Sequence, residues 1–255
     1  MWRLIVTVLT SVTAAVAGLL VVRHLVPFSV LHDNNEVAGN YLQTVGTIYA
    51  VLLAFVVFVV WSQFNEARSH VERETNELSD LFRIARCLHM PALIERARAY
   101  ARAVIDEEWQ AMAGKQHSER ARCLLEEMWL ALEQMPDGPE GINRQNTLYA
   151  EALARFNGLN DARTDRLWSS RTKLPLILWI LLVSGGLITV GSMYLFGLRS
   201  QLFHALMTGA MAGAVSHVLY LIWDFDNCFS GDWQVEKRPF ELVLEQMDGC
   251  FRPGP

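Results

Sequence analysis

Charged residues are absent from four long stretches of this sequence, although Asp, Glu, Lys and Arg make up 19% of the chain. The stretches are Leu4–Val22, Tyr41–Trp61, Leu174–Phe196 and Phe203–Trp223, and their only strongly polar side chains are Gln43, His204 and His217. A helix of about 20 apolar residues crosses the ~30 Å hydrocarbon core of a bilayer. The sequence therefore predicts four membrane helices.

Motifs of the common enzyme classes are absent too: there is no Walker loop, dinucleotide glycine pattern, H-E-x-x-H or G-x-S-x-G. The histidines in the apolar stretches lack the paired carboxylates that a membrane hydrolase would use. No strand-like alternation and no basic run typical of nucleic-acid binding occurs. We expect an all-α, non-enzymatic protein with no cofactor, no metal and no nucleic-acid partner.

Basic residues predict the orientation of the helices. The N-terminus, residues 62–173 and residues 224–255 would share one side of the membrane, and they hold all but two of the 22 Lys and Arg, the exceptions being Arg23 and Arg199. Since positive charge concentrates on the cytosolic side, we expect both termini in the cytosol. The cysteines there form no C-x-x-C pair, and we expect buried thiols. They are Cys87, Cys123, Cys228 and Cys250.

The first stretch has a second interpretation. Arg3 precedes it, and Ala15-Val-Ala17 matches the small-x-small pattern of a signal-peptide cleavage site. The apolar run nevertheless continues to Val22, which is the length of a membrane span, so a retained helix is favoured.

The second stretch continues into water. No proline or glycine separates it from the charged helical pattern that starts at Asn65-Glu-Ala-Arg68, so one helix is predicted from Tyr41 to about Ala85. Its cytosolic part has apolar residues at helical spacing, and charges such as Glu74 are expected on the other faces. These apolar positions are Val71, Leu78, Leu81, Phe82, Ala85 and Leu88.

The predicted organisation has four parts. Residues 1–61 hold membrane helices at about 4–22 and 41–61, residues 62–173 form an inserted cytosolic helical domain, residues 174–223 hold the second membrane pair, and residues 224–255 are a cytosolic segment. Pro91 ends the long helix, and further helices are predicted at about 92–112, 119–135 and from 143 through 168 toward 175. Met135–Gly141 is a breaker, residues 23–40 are a polar loop, and residues 197–200 are a tight hairpin.

Three sets of residues carry candidate chemistry. Thr47, Val51 and Phe55 lie at i, i+4 and i+8 on one stripe of the second membrane helix, which suits either intramembrane packing or the wall of a pore. Asp224, Asp226 and Asp232 follow the fourth stretch and are either cation ligands or, as we prefer, capping and salt-bridging groups.

The fourth stretch contains the third set. Gly209-Ala-Met-Ala-Gly213 is a small-xxx-small face that favours close helix packing. His217, one turn further on, is a functional candidate because it is ionisable within the membrane, or a neutral histidine bonded to Ser216 or Tyr220.

Two stretches resemble a known family. Gly46-Thr-Ile-Tyr-Ala-Val-Leu-Leu-Ala-Phe55, with Glu66-Ala-Arg68, resembles the second transmembrane helix of bacterial bestrophins, and Asp226-Asn-Cys-Phe-Ser-Gly231 with Pro239-Phe240 resembles the region after their fourth. The residues of these two stretches resemble even more closely those of the bestrophin-like bacterial family of unknown function. The resemblance implies a pentamer around one ion pathway, with an apolar neck at Thr47, Val51 and Phe55.

The sequence also departs from the family. Thr47 replaces a larger apolar residue, Val56-Val-Phe58 replaces polar residues that follow the neck, and the calcium-binding acidic run is only partly matched by Asp224, Asp226 and Asp232. We expect a bestrophin-like homo-oligomeric channel in the lipid bilayer of the bacterial inner membrane that passes small inorganic ions, and the resemblance implies that the oligomer is a pentamer. The alternative is a non-conducting scaffold or sensor whose cytosolic helices bind a protein.

Overall fold

A computed structural model describes residues 1–134 and 143–249, and the predicted breaker Met135–Gly141 and Cys250 lie outside the described residues. Within these ranges the chain is helical and contains no strand, in agreement with the predicted all-α class. The described residues form ten α-helices: α1 (Trp2–Leu25), α2 (Phe28–Asp33), α3 (Asn35–Cys87), α4 (Pro91–Ala103), α5 (Trp109–Ala113), α6 (Glu119–Glu133), α7 (Asn143–Arg171), α8 (Leu176–Ser192), α9 (Gln201–Asp226) and α10 (Arg238–Gly249). A π-helical turn, Val104–Glu108, joins α4 to α5, and a 3-10 turn, Met193–Leu195, follows α8.

The chain divides into two compact units. The membrane unit comprises Met1–Ser62 and Lys173–Asp226, and the polar unit comprises Gln63–Thr172 and the described residues from Asn227 onward. Four described helices are long and apolar enough to cross a membrane, and the apolar windows that qualify them fall in the first unit. Helix α3 is continuous from Asn35 to Cys87, as predicted for the long helix.

Small residues bring α1 and α9 together in the membrane unit. A Cβ atom on Gly209 would lie 3.3 Å from a methyl of Val12, and one on Gly213 would lie 3.5 Å from the other methyl of the same valine. A side chain on Gly209 would thus be crowded against α1, whereas one on Gly213 would make an ordinary contact. The glycine at position 209 therefore lets α1 approach α9 closely, as small residues do between membrane helices.

The connection predicted as a polar loop at residues 23–40 is largely helical. Helix α1 runs on to Leu25, α2 follows, and α3 begins at Asn35, six residues before the predicted start at Tyr41. The polar residue Asn35 holds the segment after α8. Its side chain accepts a hydrogen bond from Gly197 N at 2.8 Å and donates one to Gly197 O at 3.2 Å. The local polarity indicated a loop, whereas these side chains satisfy the backbone of another segment.

The core of the polar unit is built on the apolar face of α3. All of the predicted apolar positions are buried except Leu88, which is partly buried. They pack with residues of α4, α6, α7 and α10, among them Ala97, Met128, Leu159 and Phe240. The predicted helix at 92–112 is interrupted by the π-helical turn, and α10 was not predicted.

A buried ionic network lies inside this core. Arg166 of α7 donates from Nε to Glu74 of α3 at 2.6 Å and from Nη2 to Glu108 at 2.6 Å, and all three side chains are fully buried. Arg163 also pairs with Glu108, and the Tyr100 hydroxyl donates to Glu74 at 2.6 Å. The sequence analysis expected Glu74 on a solvated face of α3. That expectation is wrong, because Glu74 is buried and is the partner of a buried guanidinium.

The network shifts the proton affinities of its members. Burial alone would raise the pKa of Glu108, but Arg166 and Arg163 outweigh it and hold the pKa of this carboxyl below its ordinary value. For Arg166 the effect of burial alone would be to lower the pKa. The attraction of Glu74 and Glu108 outweighs this effect and holds the pKa of Arg166 well above its usual range. Both groups are therefore charged in the folded protein at neutral pH.

The cysteines differ from the expectation of buried thiols. Cys228 is buried, but Cys87 and Cys123 are exposed. Cys87 is the last residue of α3 and Cys123 lies on the outer face of α6, so neither position reaches the core.

Replacing Arg166 with leucine should destabilise the protein strongly, because Glu74 and Glu108 would then be buried without their guanidinium partner. Breaking a buried pair in this way costs about 3–5 kcal/mol, which corresponds to a loss of more than about 6 °C in melting temperature. The exposed Arg83, which pairs with Asp80 at 3.3 Å on the surface, provides the control: Arg83→Leu should cost less than about 1 kcal/mol. Thermal unfolding of the purified protein in detergent measures both, and equal losses would contradict a special role for Arg166.

The pH dependence of stability should include a contribution from Glu108. Because its folded pKa lies below its unfolded value of 4.5, the stabilisation is fully present above that pH and is lost as the pH falls through the folded pKa. The melting temperature of Glu108→Gln should therefore start lower at pH 7 and decline less steeply below about pH 4.5 than that of the unchanged protein. Parallel curves between pH 7 and pH 3.5 would count against this assignment.

Candidate pore-lining face and acidic segment

One face of α3 is packed within the membrane unit. Tyr49, Val56 and Val60 are buried, and the Tyr49 hydroxyl donates to the carbonyl of Leu182 in α8 at 2.9 Å. Gly185 makes room for the tyrosine ring, since a Cβ there would lie 2.5 Å from Cδ2 of Tyr49. These contacts fix the rotation of α3 against α8.

The predicted stripe lies on the opposite face. Val51 is two positions from Tyr49, which places it about 160° around the helix. Val51 is 53% exposed and Phe55 is 66% exposed, and Thr47 is exposed as well. The structure thus brings the three residues of the candidate neck onto one face that no other part of the membrane unit covers.

The hydroxyl of Thr47 is already used within α3. Its Oγ1 donates to the carbonyl of Gln43 at 2.7 Å, four residues earlier. The hydroxyl proton is thus bonded within the helix, and it does not need a second acceptor. The polar character that the threonine brings to the stripe is accordingly reduced.

The residues after Phe55 do not all share its face. Val56 is buried and Val57 is half-buried, whereas Phe58 is 69% exposed. Of the three apolar residues that replace the family's polar ones, only Phe58 therefore extends the exposed stripe. Sequence reasoning grouped the three together because it had no knowledge of which side of α3 is packed.

Asp226 of the acidic segment holds the start of α8. Its Oδ1 accepts a hydrogen bond from Leu174 N at 2.8 Å, and its backbone carbonyl accepts one from the Lys173 ammonium. The side chain is buried, so this bond is sheltered from water. The geometry is that of a carboxylate that caps the backbone leading into a helix rather than that of an open cation ligand.

The other two acidic residues are placed differently. Asp224 is also buried in α9, but Asp232 is exposed and belongs to the polar unit. Among residues 1–134 and 143–249, no group of three or more His, Cys, Asp or Glu side chains is arranged to hold a metal ion.

The two membrane histidines have unequal surroundings. His204 is fully buried, and its Nε2 donates to the carbonyl of Met193 at 2.8 Å. His217 is exposed on α9, and the neighbouring Ser216 hydroxyl donates to Gly213 O at 3.1 Å rather than to the imidazole. The hydroxyl proton of Ser216 is thus bonded within α9. His204, to which sequence reasoning assigned no role, is the histidine that joins α9 to the turn after α8.

Four apolar helices and a helical polar unit define an all-α membrane protein. A family model, the Bestrophin-like domain, matches residues 9–240. The chain belongs to the bestrophin-like family. No curated protein matches it significantly.

Solved structures share the fold over almost the whole chain. A crystal structure of a membrane protein variant has a TM-score of 0.68 at 13% identity, with 98% of this chain and 100% of that chain covered. Two crystal structures of a bacterial bestrophin homolog from Klebsiella pneumoniae have TM-scores of 0.67 and 0.64 at 14% identity, with 97% of this chain and 98% of each of those chains covered. At this identity they show a common fold.

Asp226→Ala should lower the melting temperature, because Leu174 N would lose its buried acceptor. An unsatisfied buried backbone group costs about 1–3 kcal/mol. The exposed Asp232→Ala is the control, with an expected change within about 0.5 kcal/mol. Addition of calcium should leave the melting temperature of the unchanged protein where it is, and a calcium-dependent rise that Asp226→Ala abolishes would contradict the capping role.

Proposed function

We propose that the protein is a homo-oligomeric ion channel, with a neck lined by Thr47, Val51 and Phe55. The observation that carries this proposal is the exposed apolar face of α3, opposite the side on which Tyr49 is bonded to α8. Copies of one chain around a symmetry axis place the same helix face around that axis. A ring of such faces encloses an apolar constriction that gates by dewetting.

Membership of the bestrophin-like family supports this proposal, since the family includes ion channels. By the resemblance, the oligomer is a pentamer that passes small inorganic ions and catalyses no reaction. We place it in the bacterial inner membrane with both termini in the cytosol, because the basic residues next to the apolar helices, such as Arg68 and Lys173, are concentrated on one side. In this arrangement, residues 62–173 form a cytosolic domain inserted between the second and third membrane helices.

A second candidate function is a non-conducting membrane scaffold or sensor. It is favoured by large apolar side chains that the polar unit exposes, namely Trp129, Leu130, Trp168 and Trp233. Exposed tryptophans of this kind are enriched where proteins contact one another. Particle images of the purified protein distinguish the two candidates: a ring with an axial opening supports the channel, and a monomer or a closed dimer supports the scaffold.

Phe55→Ala should increase ion flux through the reconstituted protein, because a smaller side chain widens the neck and lowers the barrier to its wetting. We expect a rise of about two- to tenfold, equivalent to a barrier lower by about 0.4–1.4 kcal/mol. The measurement is ion efflux from vesicles that contain equal amounts of folded protein.

Phe203→Ala is the matched control for this experiment. Phe203 is also an exposed phenylalanine of the membrane unit, but it lies near the start of α9 and away from the stripe on α3. Its replacement should leave the flux unchanged. The channel proposal is wrong if none of the three proteins conducts, and the assignment of the neck is wrong if both replacements change the flux equally.

A further inference from the structure

A long groove runs along α1, α8 and α9 within the membrane unit. Its first part has a volume of about 620 Å³ and its second part about 350 Å³, and the two share Ser11, Ser216 and Leu219 in their linings. They therefore form one continuous groove. Each part alone falls within or near the range of small-molecule sites, about 300–1,000 Å³.

The length of the groove matches one lipid leaflet. Along α1 it extends from Trp2 to Ala15, which is roughly 20 Å at 1.5 Å per residue. Half of a bilayer, with its headgroups included, is about 20–22 Å thick. A single phospholipid lying along α1 would thus fill the groove from its headgroup to the end of an acyl chain.

The two ends of the groove differ in chemistry. Three tryptophans line the first part, Trp2, Trp179 and Trp223, and the deeper part is lined mainly by small and aliphatic residues such as Ala15 and Val183. Tryptophan prefers the headgroup level, where its ring is in contact with apolar groups and its N–H meets water or a polar partner. The headgroup of a bound lipid would therefore lie at the end of the groove that the tryptophans line.

Charge selects the kind of headgroup. Arg3 lines the tryptophan end, and no acidic side chain lines either part among the described residues. A guanidinium forms bidentate, charge-assisted hydrogen bonds with phosphate oxygens. The headgroup of a zwitterionic lipid carries a positive charge that Arg3 repels. An anionic lipid without such a charge is therefore favoured at this end.

We propose that this groove binds one anionic phospholipid, with its phosphate at Arg3 among the tryptophans and an acyl chain along Ser11 and Ala15. The lipid occupies a crevice between α1, α8 and α9, away from the Thr47–Phe55 stripe of α3. The proposal does not depend on ion conduction.

The test is lipid retention by the purified full chain in detergent, measured by native mass spectrometry. Phosphatidylglycerol and phosphatidylcholine with identical acyl chains are added in equal amounts. The unchanged protein should retain about one phosphatidylglycerol per chain and prefer it about fivefold, since one basic residue near a membrane surface contributes about that factor. Equal retention of the two lipids would overturn the proposal.

Two variants separate the headgroup from the acyl chain. Arg3→Gln should remove the preference for phosphatidylglycerol, while Arg199→Gln, an equal change of charge at an exposed position between α8 and α9, should keep it. Ser11→Phe fills the middle of the groove and should reduce retention of both lipids at least about fivefold, because each CH₂ group that the acyl chain no longer buries weakens binding by a factor of about four, provided that thermal unfolding shows a folded protein. Leu130→Ala, at an exposed position of the polar unit, controls for the general effect of a substitution.

Two outcomes would contradict the site. Equal loss of the preference in Arg3→Gln and Arg199→Gln would mean that overall charge, and not this groove, attracts the lipid. If the Ser11→Phe protein retains lipid but no longer associates with other copies of the chain, then a second copy fills the groove.

Discussion

The guanidinium of Arg166 is the group on which the polar unit depends. It is fully buried and has five N–H donors in a rigid plane, so its surroundings must supply acceptors in fixed positions. Glu74 of α3 and Glu108 of the π-helical turn supply them, and the rings of Trp109 and Phe240 lie 5.8 Å and 5.7 Å from its central carbon. Because an unpaired buried charge is far more costly than a lost surface pair, these contacts fix the positions of α3, α5, α7 and α10 together.

The π-helical turn is part of the same arrangement. Its last residue is Glu108, whose carboxylate accepts from Arg163, from Arg166 and from Ser118 N at 3.2 Å. Ser118 in turn caps α6, since its hydroxyl accepts from Ala121 N at 3.2 Å. The irregular turn therefore places one carboxylate where it can serve two arginines and the beginning of another helix, in keeping with the association of π-turns with specialised positions.

The sequence predicted those features that depend on local composition. Four uncharged stretches indicated the membrane helices, and the spacing of Val71, Leu78 and Leu81 indicated the buried face of α3. It did not predict that Glu74 is buried, because that depends on Arg166, which lies 92 positions away in the chain. The same limit explains the helical connection before Asn35 and the exposed thiols of Cys87 and Cys123, whose surroundings are decided by tertiary packing.

Periodicity placed Thr47, Val51 and Phe55 on one stripe, but it did not reveal which side of α3 is packed. The bond between Tyr49 and Leu182 and the burial of Val56 and Val60 show that side. With that side known, the exposed stripe continues from Thr47 to Phe58, roughly 16 Å along the axis. In the proposed ring, a constriction of this length would be mainly apolar, since the hydroxyl proton of Thr47 is bonded within the helix and its oxygen is left only as an acceptor. Water leaves narrow apolar passages, so such a ring would be closed at rest and would conduct only after it widens. The apolar residues that follow Phe55, where the bestrophins have polar ones, are thus compatible with a channel.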